Sequence, residues 1–184
     1  MQLMKMIEPY PIESWGFQNP RTVHLIVEAE RRVYADRSQH LGDADFYPVP
    51  VAGLCDSLYI ASRMQNFDST FASASAAILP GKPVQEKEQT THLSIVDPFG
   101  GAVAVTTTLN DSYGSKTVVE GAGYLLNNET DDFSIKAGAP NMYGLIGGTA
   151  NSIEAGKRML SSMTPTLVCK DGKLLMVVGT PGGS

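Results

Sequence analysis

Apolar and polar residues follow two different periods along this chain, and the period changes near residue 90. Before that point, apolar residues recur at helical spacing from Pro20 to Leu41, which predicts one long helix. The predicted buried face comprises Val23, Ile26, Val27, Val33 or Tyr34, and Leu41. Asn19 and Pro20 are typical of a helix start, Glu28 and Arg32 form an i,i+4 ion pair, and Gly42 is typical of a helix end.

A shorter helix is predicted to follow Asp56, because a carboxylate is a good N-terminal cap. Its predicted buried side comprises Leu58, Tyr59, Ala61 and Met64. Residues 66–89 are rich in small and polar side chains, and the sequence Pro80-Gly81-Lys82-Pro83 cannot continue a helix. This stretch is therefore predicted to be a mobile linker.

From Thr90 onward the period is two, as in β-strands. The first predicted hairpin runs from Thr90 to Leu109, with its turn at Asp97-Pro98-Phe99-Gly100-Gly101. The second runs from Thr166 to Val178 around Asp171-Gly172, a dipeptide that strongly favours a two-residue hairpin turn. We expect both hairpins to lie in antiparallel sheet, with the long helix packed beside them. The stretch between them is rich in Gly, Asn, Asp and Ser, and loops of that length are usually functional or disordered.

The composition is that of a folded domain. Hydrophobic residues make up 42% and charged residues 18%, and the net charge is −5 with the basic residues scattered, which argues against a nucleic-acid partner. No apolar run approaches the ~20 residues that a membrane span needs. Cys55 and Cys169 show no metal-binding spacing, and Asp131-Asp132 has no third ligand nearby, so neither a metal nor a cofactor is predicted. The glycine turn at the end of the chain predicts a segment of a larger protein.

One specific chemistry fits the junction between the linker and the first strand, at Gln89-Thr90. In N-terminal nucleophile hydrolases a Thr, Ser or Cys attacks the peptide bond before it and becomes a new N-terminus. Its α-amine, with a pKa of about 8, then serves as the base for its own hydroxyl. On spacing alone the alternative is an ordinary strand start. His92 lacks the neighbours of a Ser-His-Asp hydrolase, and we interpret it as a strand histidine hydrogen-bonded to a neighbour.

Six ordered motifs resemble those of the γ-glutamyltranspeptidase family: AERRVYADRSQHLGD, TTHLSIVDPFGGAVAVTTTLN, LLNNETDDF, NMYGLIGG, KRMLSSMTPTLV and GTPGGS. The resemblance covers nearly the whole chain. It implies an α+β fold, the four-layer αββα sandwich of N-terminal nucleophile hydrolases, incomplete in this chain. Residues 1–89 would be the C-terminal part of the large subunit, helical and ending in the linker, and residues 90–184 the N-terminal part of the small, catalytic subunit.

The resemblance also implies γ-glutamyl transfer or hydrolysis on glutathione and related γ-glutamyl amides. Thr90 matches the nucleophile that is released by autocatalytic cleavage at Gln89-Thr90 and that forms a γ-glutamyl ester. Thr108 matches the threonine whose hydroxyl orients that nucleophile. Gly182 and Gly183 match the backbone N–H donors of the oxyanion hole, where a side chain would block the approach.

The donor-binding residues follow from the same resemblance. Asn110 matches a residue that binds the donor α-carboxylate, and Ser161 and Ser162 match serines that assist it. Glu129 and Asp132 match the pair that holds the donor α-ammonium, for which two carboxylates are suitable ligands.

Tyr143, within the stretch 136–147, matches part of a lid over the site. The implied partners are a γ-glutamyl donor such as glutathione, an amino acid, peptide or water acceptor, and the remaining segments of both subunits. The compartment implied for the whole protein is periplasmic or extracellular. We expect the isolated chain to be inactive, because the family's donor-binding arginine and the elements after Gly183 are absent from it. The alternatives are a non-catalytic fragment that only folds with the rest of the enzyme, and a relative acting on poly-γ-glutamate or as a β-lactam acylase.

Overall fold

The computed structural model describes residues 1–74, 77–78, 90–136, 138–140 and 146–181, which form helices and antiparallel strands, a mixed α+β structure. Two compact units are distinguished by their internal contacts. One is drawn from residues 1–84 and 133–160, and the other from residues 85–132 and 161–184. Of the predicted linker, residues 66–89, the positions 75–76 and 79–89 lie outside the described residues. The described part packs against the helical part of the chain, because the Ser73 hydroxyl donates to Glu28 at 2.6 Å and Ile78 is buried. No helix within the described part of the chain is long and apolar enough to cross a membrane.

The first unit is helical. Its helices are α1 (Gln2–Ile7), α2 (Ile12–Trp15), α3 (Pro20–His40), α4 (Val51–Leu54) and α5 (Ser57–Met64), and a short 3-10 turn follows at Thr149–Asn151. Its core forms where Met6 of α1, Ala29 of α3 and Ile60 of α5 meet. The start of α3 confirms the prediction, because the Asn19 side chain accepts a hydrogen bond from the Arg21 N–H at 2.9 Å.

The buried face of α3 differs from the predicted one. Val23, Val27 and Tyr34 are 50%, 45% and 39% exposed, whereas Leu25 and Ala29 are fully buried. The interior face also carries charged side chains in paired form, namely Glu28, Arg32 and Asp36. Val33 does pack against the core, as predicted. The rest of the buried face was missed because paired charges occupy positions that the apolar pattern assigns to solvent.

The predictions about the ends of α3 and α5 and about the buried side of α5 have mixed outcomes. Asp56 does cap α5, accepting hydrogen bonds from the N–H groups of Leu58 and Tyr59 at 2.9 and 3.1 Å. The buried residue of α5 is Ile60, however, and Leu58 and Ala61 are exposed. Gly42 follows the end of α3, but its position also demands glycine because a Cβ there would overlap the carbonyl of Ala150.

The second unit contains the two predicted hairpins. β1 (Thr90–Val96) pairs antiparallel with β2 (Ala102–Thr108), so β2 ends one residue before the predicted Leu109. β3 (Thr166–Lys170) pairs antiparallel with β4 (Lys173–Val178), with the bounds that the sequence predicts. Each hairpin forms its own two-stranded sheet. The packing of the long helix beside the hairpins stays a prediction.

Turn chemistry explains both hairpins. Asp171 and Gly172 have φ of +51° and +72°, and positive φ at both central positions is the requirement of a type I′ turn. In the first hairpin, one carboxylate oxygen of Asp97 accepts hydrogen bonds from the N–H groups of Phe99 and Gly101, both at 2.8 Å. This five-residue turn fixes the register of the strands that follow it.

Candidate active site

Two threonines face each other at the open end of the first hairpin. β1 begins at Thr90 and β2 ends at Thr108, and the register places these two residues directly opposite each other. Opposed residues in antiparallel strands have Cβ atoms about 4.5–5.5 Å apart, close enough for two small hydroxyl side chains to interact. Both threonines are half-buried. The hairpin therefore brings together the two hydroxyls that the resemblance identifies as nucleophile and orienting group.

Asn110 is held beside this pair in an uncommon backbone conformation. Its φ is +75°, a value that Asn tolerates better than most residues. Its N–H donates to Oγ1 of Thr108 at 3.0 Å, and its side-chain Nδ2 donates to the carbonyl of Asn128 at 3.4 Å. One bond thus holds the backbone of Asn110 next to Thr108, and the other holds the side chain that is predicted to bind a carboxylate against Asn128.

Asn128 joins the end of β2 to an acidic turn. Its N–H donates to the carbonyl of Leu109 at 3.1 Å, and its Oδ1 accepts from the N–H of Asp111 at 3.0 Å. The next four residues, Glu129–Asp132, form a 3-10 turn that contains both carboxylates predicted to hold an ammonium. Sequence reasoning passed over Asn128. The available signal was Asn127-Asn128 ahead of an acidic run, since Asn commonly caps such turns.

The electrostatics of the acidic turn favour an incoming cation. Glu129 and Asp132 are both half-buried. Burial raises the pKa of Glu129 above its usual range, because the ionised carboxylate loses hydration there. A positive group placed against Glu129 would offset that cost.

Ser161 and Ser162 lie in the same unit, on the exposed segment that leads into β3. The Oγ of Ser161 accepts from the N–H of Met163 at 3.2 Å, and the carbonyl of Ser162 accepts from Oγ1 of Thr164 at 3.3 Å. These bonds lie within the serine segment itself. The structure thus brings Thr90, Thr108, Asn110 and the acidic turn together through the hairpin and Asn128.

Four predicted site residues lie outside the described residues: Gln89, Tyr143, Gly182 and Gly183. Their roles stay predictions.

His92 is a strand histidine, as predicted. Nδ1 of its ring is 2.7 Å from Oγ1 of Thr106, and Nε2 is 2.9 Å from Oγ of Ser94. Sequence reasoning did not foresee its third neighbour, Gly179, where an added Cβ would overlap the imidazole ring. Glycine is required there for this close approach.

Known proteins are similar to this chain over its whole length. A sequence model described as gamma-glutamyltranspeptidase matches residues 1–184. Among curated relatives, the glutathione hydrolase proenzyme of Pseudomonas sp. strain A14 is 51% identical over 183 residues, and that of Escherichia coli K12 is 47% identical over 185 residues. Each match covers 100% of this chain and 32% of the relative. The chain thus spans about a third of the length of these relatives.

Two further similarities complete the comparison. The Acylase ACY 1 proenzyme of Pseudomonas sp. strain SE83 is 34% identical over 181 residues, covering 98% of this chain and 30% of the relative. Among solved structures, the gamma-glutamyltranspeptidase from Pseudomonas nitroreducens complexed with L-DON is 57% identical, with a TM-score of 0.46. That match covers 47% of this chain and 45% of the solved one.

Proposed function

Because the chain belongs to the γ-glutamyltranspeptidase family, we propose that the complete protein transfers or hydrolyses γ-glutamyl groups of glutathione and related amides, with Thr90 as nucleophile. The observation that carries this proposal is the register pair of Thr90 and Thr108 at the open end of the first hairpin. It supports the proposal because a nucleophilic hydroxyl needs a neighbouring group that fixes its direction.

Maturation and turnover use the same hydroxyl. The Thr90 hydroxyl adds to the carbonyl of Gln89, the peptide C–N bond breaks, and the acyl group moves to the oxygen as an ester. Water cleaves that ester and leaves Thr90 with an α-amine whose pKa is about 8, suited to act as a base near neutral pH.

In turnover, this amine takes the proton of the Thr90 hydroxyl as the oxygen attacks the γ-glutamyl carbonyl, and it returns the proton to the departing amine. Water or the amino group of an acceptor then releases the glutamyl group from the ester. Backbone N–H groups of Gly182 and Gly183 are the proposed donors to the oxyanion. Removal of one such donor typically costs about 10²–10³-fold in rate.

A free α-amino acid carries an ammonium and a carboxylate on one carbon. Donor recognition therefore requires a group that binds a carboxylate and a group that binds an ammonium, close together. Asn110 and Glu129 meet this requirement: Asn110 bonds to Asn128, and Glu129 follows Asn128 in the chain. We assign Asn110, with Ser161 and Ser162, to the α-carboxylate. Glu129 and Asp132 are assigned to the α-ammonium, and the burial-raised pKa of Glu129 supports this.

The finer architecture belongs to the same proposal. The complete fold would be the αββα sandwich, with residues 1–89 ending the large subunit, residues 90–184 beginning the small one, and Tyr143 in a lid. The remaining segments of both subunits would be needed for activity. A β-lactam acylase is the second candidate, supported by the 34% identical acylase relative. A donor panel that pairs a γ-glutamyl anilide with a β-lactam side-chain amide separates the two candidates.

The decisive experiment compares neighbouring threonines in the complete proenzyme. Thr90→Ala removes the attacking hydroxyl, so the precursor should stay uncut and turnover of the γ-glutamyl anilide should vanish. Thr91→Ala is the matched control, because Thr91 is exposed and successive strand residues point to opposite faces. The Thr91→Ala precursor should mature normally, and the Thr90→Ser precursor should mature slowly.

Intact mass and N-terminal sequencing locate the cut. Normal maturation of Thr90→Ala would contradict the proposal, since another residue or a protease would then make the cut. The same anilide assay on the isolated 184-residue chain tests whether it is a non-catalytic fragment, which we expect.

A further inference from the structure

One face of the first hairpin carries a row of polar side chains that includes Thr90. Thr90, His92 and Ser94 alternate along β1, so they point to the same face of the sheet. On β2, Thr108 lies opposite Thr90, and Thr106 lies opposite His92. All of these residues except Ser94 are half-buried. His92 therefore shares a face with the proposed nucleophile, two residues further along the strand.

The His92 ring is held at both of its nitrogens. Nδ1 is 2.7 Å from Oγ1 of Thr106, and Nε2 is 2.9 Å from Oγ of Ser94. A hydroxyl can donate or accept, so these two partners satisfy the imidazole in either neutral tautomer. Rotation of the ring out of this position would break both hydrogen bonds. The imidazole thus has a fixed place on this face of the hairpin.

Gly179, the first residue after β4, lies directly against that ring. A Cβ added to Gly179 would overlap Cε1 and both ring nitrogens of His92. Gly179 does not have a positive φ, so glycine is required there for space and not for backbone conformation. A side chain can usually move away from such an overlap, but two hydrogen bonds hold this one. The position of the ring therefore determines how closely Gly179 approaches β1.

This contact joins the two hairpins of one compact unit. The described strands form two separate two-stranded sheets, and β4 contacts both β1 and β2. Because no ladder of backbone hydrogen bonds links these sheets, side-chain contacts decide where the end of β4 lies relative to β1. The proposed oxyanion donors, Gly182 and Gly183, follow Gly179 by three and four residues in the chain.

We propose that His92 is a positioning residue: it seats Gly179 on the face that carries Thr90 and so fixes where the segment after β4 begins relative to the nucleophile. The inference rests on the proposed function, which assigns the attack to Thr90 and the oxyanion donors to Gly182 and Gly183. His92 touches no reacting atom in this scheme. A displacement of about 1 Å between reacting and stabilising groups can cost as much as 10²-fold in rate. Loss of the contact should therefore lower kcat.

The test uses the complete proenzyme with Gly179→Ala, with His92→Ala and with both substitutions. Turnover of a γ-glutamyl anilide gives kcat, and the inhibition constant of L-glutamate reports binding at the donor site without chemistry. Each single variant should lower kcat about tenfold. The L-glutamate constant should stay within about twofold, because Asn110 keeps its own hydrogen bonds to Thr108 and Asn128.

The double variant separates a shared role from two independent ones. Its kcat should also fall about tenfold, and not about a hundredfold, because the methyl group added at Gly179 no longer meets a ring at His92. A loss equal to the product of the two single losses would show that the residues act independently, and it would overturn the proposal.

Thr106→Val and Thr107→Val are a matched pair on β2. Both replace a hydroxyl with a methyl group, but neighbouring strand residues point to opposite faces, and Thr107 is exposed. Thr106→Val removes one hydrogen bond of the His92 ring and leaves the bond to Ser94, so kcat should fall about threefold. Thr107→Val should stay within about twofold. Valine favours strands, so Thr106→Val keeps the test open if the precursor of a His92 or Gly179 variant stays uncut.

Three further outcomes are decisive. Unchanged kcat in His92→Ala and Gly179→Ala would overturn the positioning role. Equal losses of kcat and of L-glutamate binding would also overturn it, because they indicate a general structural effect. Failure of the wild-type proenzyme to turn over the anilide would overturn the proposed function itself, whereas an active wild type with fully active variants overturns only the role of His92.

Discussion

Glu28 in the helical unit and Glu129 in the hairpin unit are both glutamates withdrawn from water, and their surroundings differ. Glu28 is buried, and its carboxylate accepts from Arg31 at 2.6 Å, from Arg32 at 2.7 Å and from the hydroxyl and N–H of Ser73 at 2.6 and 3.2 Å. Burial raises its pKa, but these hydrogen bonds outweigh burial and lower the pKa to about 2. For Glu129, by contrast, burial raises the pKa above its usual value.

The difference separates a carboxylate that holds the fold from one suited to bind a ligand. Arg32 also donates to the carbonyl of Arg63 and to Oδ1 of Asn66, so the Glu28 network fixes three segments of the helical unit with protein groups alone. A carboxylate whose ionised form is disfavoured gains most from an added positive charge. Glu28 is already paired with cations within the fold, whereas the raised pKa of Glu129 supports its proposed role in binding the donor ammonium.

The largest expected effect is on the Glu28 side of this comparison. Glu28→Gln in the complete protein should destabilise the fold by about 3–5 kcal/mol at pH 7, because it leaves the buried Arg32 without its counter-charge. Glu30→Gln on the same helix and Glu129→Gln should each change stability by only about 0.5 kcal/mol or less. Thermal unfolding of the three variants beside the wild type measures this.

The pH dependence adds an independent check. The folded pKa of Glu28, about 2, lies below its ordinary value of 4.5, so its ionisation stabilises the fold above that value. This stabilisation is lost as the pH falls from 4.5 toward 2. The Tm difference between the wild type and Glu28→Gln should therefore narrow in that window. A difference that stays constant there would contradict the assigned role of the carboxylate charge.

The same contrast shows how far the sequence predicts the molecule. Hairpin bounds and the caps at Asn19 and Asp56 follow from local turn and capping chemistry, and the five-residue turn at Asp97 fixes the Thr90–Thr108 register. Local signals of this kind are visible within a few residues. The buried position of Glu28 on α3 was missed because its carboxylate accepts a hydrogen bond from Ser73, 45 residues away. A helical periodicity in the sequence cannot indicate such a distant partner.

In the candidate site, too, some features follow from local signals and others depend on contacts between residues that are distant in sequence. The resemblance predicts roles for Thr108 and Asn110. The hairpin register places Thr108 opposite Thr90, and the N–H of Asn110 donates to Thr108. Asn128 and Gly179 were not foreseen, because Asn128 contacts Leu109 and Asp111 and Gly179 contacts the His92 ring, and these partners are distant in sequence.

A second prediction tests the acidic turn. Asp132→Asn in the complete enzyme should lower kcat/KM for γ-glutamyl donors by about 10²–10³-fold, since loss of a paired charge costs about 3–5 kcal/mol and 1.4 kcal/mol corresponds to tenfold. Asp131→Asn, in the same 3-10 turn, is the matched control and should retain most activity. Steady-state kinetics with a free and an N-acetylated donor measures both variants.

Discrimination against the N-acetylated donor should shrink in Asp132→Asn, because that donor has no ammonium to lose. If Asp132 only stabilises the turn before Phe133, both donors lose activity in parallel and the Tm falls. That pattern would withdraw the ammonium role and leave Glu129 as the remaining candidate.

The smallest expected effect is on the pH profile and concerns Glu129 directly. The Thr90 amine must be neutral to act as a base, so kcat/KM should fall tenfold per pH unit below its pKa of about 8. Glu129 must be ionised to hold the ammonium, and burial raises the pKa of its carboxyl, so its protonation adds a second loss at higher pH than for an ordinary glutamate. The wild-type profile should therefore steepen at its acid end.

Glu129→Gln should lower kcat/KM and remove the part of the steepening that belongs to Glu129, because that titrating carboxyl is gone. A bound ammonium lowers the pKa of Glu129, so the steepening should appear in kcat/KM, which reports the free enzyme, at higher pH than in kcat. The pH profiles of kcat and kcat/KM are measured for the wild type and Glu129→Gln, with Asp131→Asn as control. Equal steepening in Glu129→Gln would assign the second titration to another group. Glu129 would then have no role in binding the ammonium, and its contrast with Glu28 would fail.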